Sequence, residues 1–160
     1  VKISIYFFSS FFIIYLPLTH KPAEQPQSVQ EKLIAGSGNI LVVDDEEYVR
    51  AMICEWLKDL GYTAFQASNG KEAVELYRSL HREINLVLLD IVMPVMGGAE
   101  VFSLLKQIRP EMKVIIFSGY ELDASAQVLL DAGASAFIQK PFQMKALGAE
   151  IRKALADSGK

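Results

Sequence analysis

The chain has 160 residues and a formal charge of −3, from 16 Lys and Arg against 19 Asp and Glu. At 51% hydrophobic and 22% charged residues it has the makeup of a folded domain rather than a disordered or collagen-like chain, and it lacks the basic footprint of a nucleic-acid binder. The lone Cys54 cannot form an internal disulfide, and the absence of any CxxC or Cys/His cluster argues against structural zinc; a reducing, cytoplasmic compartment is expected.

Residues 1–18 form an apolar N-terminal segment dense in Phe, Ile and Tyr. Its run Ile3–Leu16, interrupted by Ser9 and Ser10, is short for a membrane span, so a membrane role is not expected. Residues 19–38, with Pro22, Pro26, several Gln, Gly36 and Gly38, read as a linker. From Asn39 to residue 157 the pattern becomes a regular alternation of short apolar runs and amphipathic stretches.

Five runs have strand length: Ile40–Val43, Thr63–Ala67, Leu86–Leu89, Val114–Phe117 and Ala136–Ile138. Several are apolar at both alternating positions, as parallel strands covered on both faces must be. The second, with Gln66 inside it, reads as an edge strand. Between them lie helical patterns. Val49, Met52, Ile53, Trp56, Leu57 and Leu60 mark one helix face, ended at Gly61. Ala73, Val74 and Tyr77 mark a second helix, entered through Asn69-Gly70. Val101, Leu104, Leu105 and Ile108 mark a third, stopped before Pro110. Val128, Leu129 and Ala132 mark a fourth, ended at Gly133, and Leu147, Ile151, Ala154 and Leu155 a fifth. The order predicts an α/β fold: a doubly wound, flavodoxin-like (βα)5 sandwich around a five-stranded parallel sheet. Cys54 falls at the flank of the first helix face and reads as a packed free thiol, and Trp56 as core.

In such a sheet ligands sit at the carboxyl ends of the strands. The first strand ends in Asp44-Asp45, the third in Asp90, the fourth in Ser118-Gly119 and the fifth in Lys140-Pro141. Singly, each has an ordinary explanation: a helix N-cap for the acidic pair, turn chemistry for Asp90, loop composition for Ser118, surface charge for Lys140. Jointly they place three carboxylates, a hydroxyl and an ammonium on one rim. Clustered carboxylates raise one another's pKa unless a cation joins them. Oxygen-only ligands favour a hard ion such as Mg2+, which invites a phosphoryl group. Asp90 could then act as a carboxylate nucleophile forming an acyl phosphate, with Lys140 and Ser118 on other phosphoryl oxygens.

The segments VVDDEE (Val42–Glu47), LLDIVMPVMGG (Leu88–Gly98), FSGY (Phe117–Tyr120) and FIQKPF (Phe137–Phe142) resemble those of the receiver domains of two-component response regulators, over about residues 38–157. The resemblance implies Asp90 as phosphoacceptor and Asp45 as a direct Mg2+ ligand. It implies that Asp44 acts through metal-bound water and that the Val92 backbone carbonyl completes the protein ligands. It further implies Ser118 as switch hydroxyl, Lys140 as phosphoryl-binding lysine, a cis bond before Pro141, and Phe137 as switch aromatic, where the family commonly has Tyr. Val92 and Tyr120 fall at sites that tune dephosphorylation in the family; Val92 cannot orient a water and Tyr120 could shield the acyl phosphate, so slow autodephosphorylation is expected. The implied partners are a histidine kinase or a histidine phosphotransfer protein as donor and an unspecified downstream protein. The face of the fourth helix, fifth strand and fifth helix is the expected responder, and the fourth- and fifth-helix face an expected homodimer surface. The implied function is a phosphoacceptor module of a phosphorelay, not an enzyme beyond Mg2+-dependent self-phosphorylation and dephosphorylation. With only residues 158–160 beyond it, no output domain is expected in this chain.

Ser10–Leu18 (SFFIIYLPL) resembles the last strand of a histidine kinase ATP-binding domain, which in hybrid kinases precedes a linker and a receiver. A remnant of such a domain is the favoured reading of residues 1–18. It would be disordered or sticky alone, and the initial Val fits an alternative start or a truncated gene. A signal peptide led by Lys2 would export the domain away from its phosphodonor; a meaningless extension is the third reading. His20 and His81 read as exposed bystanders. A phosphatase of the haloacid-dehalogenase type uses similar groups, but its nucleophile comes first in a DxD pattern, whereas here the acidic pair comes first and Ile91-Val92 follow Asp90. A dinucleotide fold is disfavoured because Asp-Asp-Glu-Glu stands where a glycine-rich turn would cradle phosphate.

Overall fold

A computed structural model describes residues 2–7, 10–15, 36–119 and 124–156. The chain divides between Leu33 and Ile34 into two units. In the first, β1 (Lys2–Phe7) and β2 (Ser10–Tyr15) pair antiparallel, with Lys2 opposite Tyr15 and Phe7 opposite Ser10. The strand expected from Ser10 onward thus has a partner in the residues just before it, where Ile3, Ser4 and Ile5 carry a strand's two-residue period.

The second unit runs β3 (Asn39–Val43), α1 (Glu47–Asp59), β4 (Thr63–Ala67), α2 (Gly70–Leu80), β5 (Ile84–Asp90), α3 (Gly98–Ile108), β6 (Lys113–Ser118), α4 (Ala124–Asp131), β7 (Ala136–Gln139) and α5 (Met144–Ala156). All strand pairs are parallel and the sheet order is β4-β3-β5-β6-β7. This is the expected doubly wound sandwich, and β4 is the edge strand its Gln66 suggested. Successive strand residues feed opposite cores. Leu41, Val43, Val87, Leu89, Val114 and Ile116 pack with α2, α3 and α4, while Ile40, Val42, Leu86, Leu88, Ile115 and Phe117 pack with α1 and α5. Every one of these twelve is fully buried, which is why the strands read as unbroken apolar runs.

The helices start and stop for local reasons. The Asn69 side chain caps α2 by accepting from Glu72 N–H at 2.9 Å, and the Glu72 carboxylate reaches back to Ser68. Helix α1 ends where Gly61 takes φ +87°, a conformation a side chain would oppose. The compact unit begins before Asn39, at residues read as linker: Gly36 N–H donates to the Leu60 carbonyl at 2.8 Å and Gly38 accepts from Thr63 N–H. Ala132, expected on the face of the fourth helix, is exposed, and so are two further residues expected on core faces. Met52 is 38% exposed and Val128 64%. Each lies one position before a buried residue, Ile53 or Leu129, and so about 100° around the helix from it.

Candidate functional site

The sheet order reverses at β3, whose neighbours β4 and β5 follow it in sequence on opposite sides. A crevice opens at such a switch point beyond the carboxyl ends of the strands. Asp44 and Asp45 leave β3 on one side of it and Asp90 ends β5 on the other; Ser118 ends β6 and Lys140 follows β7. Asp44 is fully buried, and Asp90 and Ser118 nearly so, the described buried polar residues of the domain; Asp45 is exposed.

The geometry brings the expected residues together. Carboxylate oxygens of Asp44, Asp45 and Asp90 lie within 4.8 Å of one another, an arrangement that could hold a metal ion. Lys140 Nζ donates to Asp44 Oδ2 at 2.9 Å and to Asp90 Oδ2 at 2.8 Å, joining strands at opposite ends of the chain. Asp90 Oδ1 accepts from Val92 N–H at 3.0 Å and Asp44 Oδ1 from Glu46 N–H at 2.8 Å, so both carboxylates are aimed by the backbone that follows them. Val92 itself is exposed. Glu46, not Asp44 or Asp45, is the N-cap residue of α1, and it makes no side-chain cap bond. The Lys140–Pro141 peptide is cis, as expected. Phe137 is half-buried against the core that faces α2, α3 and α4. Tyr120 lies outside the described residues.

Two participants escaped the sequence reading. Glu46 places a carboxylate 3.6 Å from Lys140 Nζ, and Arg50, one turn into α1, donates from Nη1 to the Asp44 carbonyl at 2.7 Å. The acidic run VVDDEE carried a signal for the first; nothing in the spacing marked the second.

The electrostatics are unbalanced. Burial opposes the Lys140 ammonium, but hydrogen bonds to Asp90 and Asp44 outweigh it and hold its pKa above the ordinary lysine value. Burial pushes Asp90 above the ordinary carboxylate range; the Lys140 hydrogen bond, the Val92 N–H and the Lys140 charge pull it down without cancelling that, and Asp44 adds to the rise. The two directions agree once the numbers of partners are compared: Lys140 has two close carboxylates, whereas Asp90 shares one ammonium with Asp44. A carboxyl whose folded pKa is raised binds its proton more tightly folded than unfolded. Stability of the metal-free protein therefore falls as pH rises from the ordinary carboxylate range through the raised Asp90 value. Asp90→Asn removes that penalty, and thermal melts at pH 7 in a chelator are expected to show it roughly a few degrees more stable than wild type; an unchanged or lower Tm contradicts the raised pKa.

A buried aspartate, an acidic pair and a lysine thus meet at the switch point of an open parallel sheet. The sequence profile of the response regulator receiver domain matches residues 40–152. The chemotaxis protein CheY of Thermotoga maritima is 39% identical over 105 residues, covering 65% of this chain and 86% of that protein. The sensor kinase CckA of Brucella abortus is 35% identical over 153 residues, covering 90% of this chain. The chain spans only 16% of that kinase's length. Among solved structures, the response regulator TrrA of Thermotoga maritima, in complex with Mg2+–BeF, superposes with a TM-score of 0.67 at 33% identity, covering 74% of this chain and 99% of that one. The chain belongs to the response regulator receiver domain family and is a phosphoacceptor receiver module of two-component signalling.

Proposed function

We propose that Asp90 is the phosphoacceptor and that the remaining rim residues stabilise the transfer. The observation that carries this is the Lys140 ammonium bridging Asp90 and Asp44 where three carboxylates converge. An Asp90 oxygen attacks the phosphorus of a phosphohistidine on a kinase or phosphotransfer protein; the O–P bond forms as the N–P bond breaks and the imidazole leaves. Asp44, Asp45, Asp90 and the Val92 carbonyl would hold Mg2+, which would supply positive charge against the phosphoryl oxygens. The carboxylate set fits it: hard oxygen donors, clustered, with one ammonium for three negative charges. Lys140 transfers its hydrogen bonds from the carboxylates to a phosphoryl oxygen, the Ser118 hydroxyl donates to another, and Phe137 follows Ser118 inward, altering the face of α4, β7 and α5. Val92 has no polar side-chain atom to align a water against the acyl phosphate, which favours a long-lived product.

The test is intact mass after incubation with a small acyl-phosphate donor. One added phosphoryl group is expected on wild type with Mg2+, and none on Asp90→Asn or in a chelator. An adduct of equal extent on Asp90→Asn overturns the assignment.

The metal site has its own reporter. Trp56 meets the Phe142 ring edge-on at 6.2 Å, Phe142 meets Phe117 at 5.8 Å, and Lys140 Nζ stands 5.0 Å over the Phe117 ring. As the carboxylates take up a divalent ion their hold on Lys140 weakens, and the ring contacts readjust. Emission of the lone Trp is expected to change saturably on Mg2+ titration and to lose that response in Asp45→Asn. A flat wild-type titration counts against metal binding here.

We also infer that the receiver belongs to a hybrid sensor kinase acting in the cytoplasm. An alignment with CckA over 90% of the chain takes in part of residues 1–35, since residues 36–160 are under four fifths of it. Among the described residues no helix is long and apolar enough to cross a membrane. The hairpin of β1 and β2 suits the closing strands of a kinase ATP-binding domain.

A further inference from the structure

The opposite end of the sheet carries a second concentration of charge. A cleft of about 890 Å³ opens at the amino ends of the strands, lined by Ser37, Asn85, Lys106, Arg109, Lys113 and Ser135 among others. Three of those side chains are cationic, in a chain whose overall charge is −3. The acidic residue lining the cleft, Glu111, is engaged by Arg109 Nε at 3.0 Å.

The hydrogen-bonding capacity of these cations is only partly used. Lys106 Nζ donates to the Pro110 and Met112 carbonyls at 3.1 and 2.8 Å, which leaves one of an ammonium's three protons. Arg109 Nη1 donates to the His81 and Ile84 carbonyls at 2.8 and 3.0 Å and Nε to Glu111, which leaves the two protons of Nη2. The Lys113 ammonium makes no hydrogen bond or ion pair among the described residues. Burial and then the nearby Lys113 charge depress the Lys106 pKa, and Glu111 offsets this only in part. The fold thus pins two cations by backbone carbonyls and holds a third beside them, a repulsive arrangement that an anion relieves.

We propose that this cleft binds a small oligophosphate, of the kind carried by a nucleoside di- or triphosphate. A monoanion would meet one cation; a guanidinium and two ammoniums spread along a cleft need an acceptor with several charged oxygens along its length. The hydroxyls of Ser37 and Ser135 and the Asn85 amide add neutral donors, and the volume is that of small-molecule sites. The site is independent of the acidic rim, which lies at the other ends of the same strands.

Inorganic tripolyphosphate and ATP, each titrated in a chelator to remove divalent ions, are the probes. Calorimetry is expected to give a 1:1 isotherm that weakens about tenfold in Lys113→Ala, the usual cost of removing one charged hydrogen-bond partner. Lys113→Ala keeps its phosphoryl uptake at Asp90, because Lys113 has no role at the rim. Amide shifts on titration are expected at Asn85, Gly133 and Ser135. Shifts confined to Asp90 and Ser118, an affinity that Lys113→Ala leaves unchanged, or the absence of any isotherm at millimolar probe each overturn the proposal.

Discussion

Replacing Lys140 with Met is expected to destabilise the metal-free protein by about 3–5 kcal/mol, the usual cost of removing one partner from a buried ion pair. The ammonium contributes little by itself. What it does is neutralise Asp44 and Asp90, whose side chains are 0% and 5% exposed and have no other close cation among the described ion pairs. In the variant their charges stay buried and repel each other. The loss should be smaller at low pH, where Asp90, whose pKa burial raises, takes up a proton, and should grow as pH rises. Millimolar Mg2+ should return part of the stability by supplying the missing charge. Chemical denaturation at low pH and at pH 8, with and without Mg2+, checks this; a variant as stable as wild type in a chelator at pH 8 contradicts the bridging role. If the ammonium has the role proposed for it above, phosphoryl uptake should fall as well.

Gly98→Ala is expected to be strongly disruptive for a single added methyl. A Cβ at Gly98 would press into the Asp90 carbonyl oxygen and stand 2.7 Å from the Ile91 Cα. Both are backbone, so no side chain can swing aside. The loop between β5 and α3 is closed here, with Gly98 N–H donating to the Ile91 carbonyl at 2.9 Å. Opening it displaces Val92, whose N–H orients the Asp90 carboxylate. A stability loss on the order of 3 kcal/mol is expected from such overpacking, with a larger fractional loss in the rate of phosphorylation by a small acyl-phosphate donor. Gly97→Ala is the control: its Cβ would meet only the Ile91 carbonyl, at an ordinary 3.7 Å. Equal effects in the two variants would show that the loop, not this contact, is sensitive.

Much of this architecture is legible in the sequence because a parallel sheet buried on both faces leaves little freedom. Its strands must be short runs of Val, Ile and Leu, and their last residues must face the crevice, so Asp44, Asp90, Ser118 and Lys140 announced themselves by position. Periodicity was less exact on the helices. Met52 and Val128 fit the arithmetic of an apolar face but sit a residue away from its centre, where solvent reaches them. Phe102 stands one position off the Val101–Leu105 spacing, yet it is almost wholly buried in the core that α3 shares with the sheet. Arg50 was invisible because its partner is a backbone carbonyl, which no side-chain pattern records. The same holds at the far end of the sheet. Lys106 and Arg109 look like solvated charges at the close of a helix, and only the fold shows their heads turned onto carbonyls beside Lys113.

Strand β5 spans seven residues, about 20 Å, and separates carboxylates at one end from the cations Lys106, Arg109 and Lys113 at the other. The domain therefore behaves as an electric dipole aligned with its sheet. In the field of an approaching protein it experiences a torque as well as a pull, so a partner surface rich in basic groups meets it with the acidic end leading. This orientation is gained before any surface touches, and it acts over a reach that physiological salt limits to about 8 Å. Encounters between the domain and such a partner are thus filtered by direction, and the filter weakens as ionic strength rises even where every contact in the docked complex is unchanged.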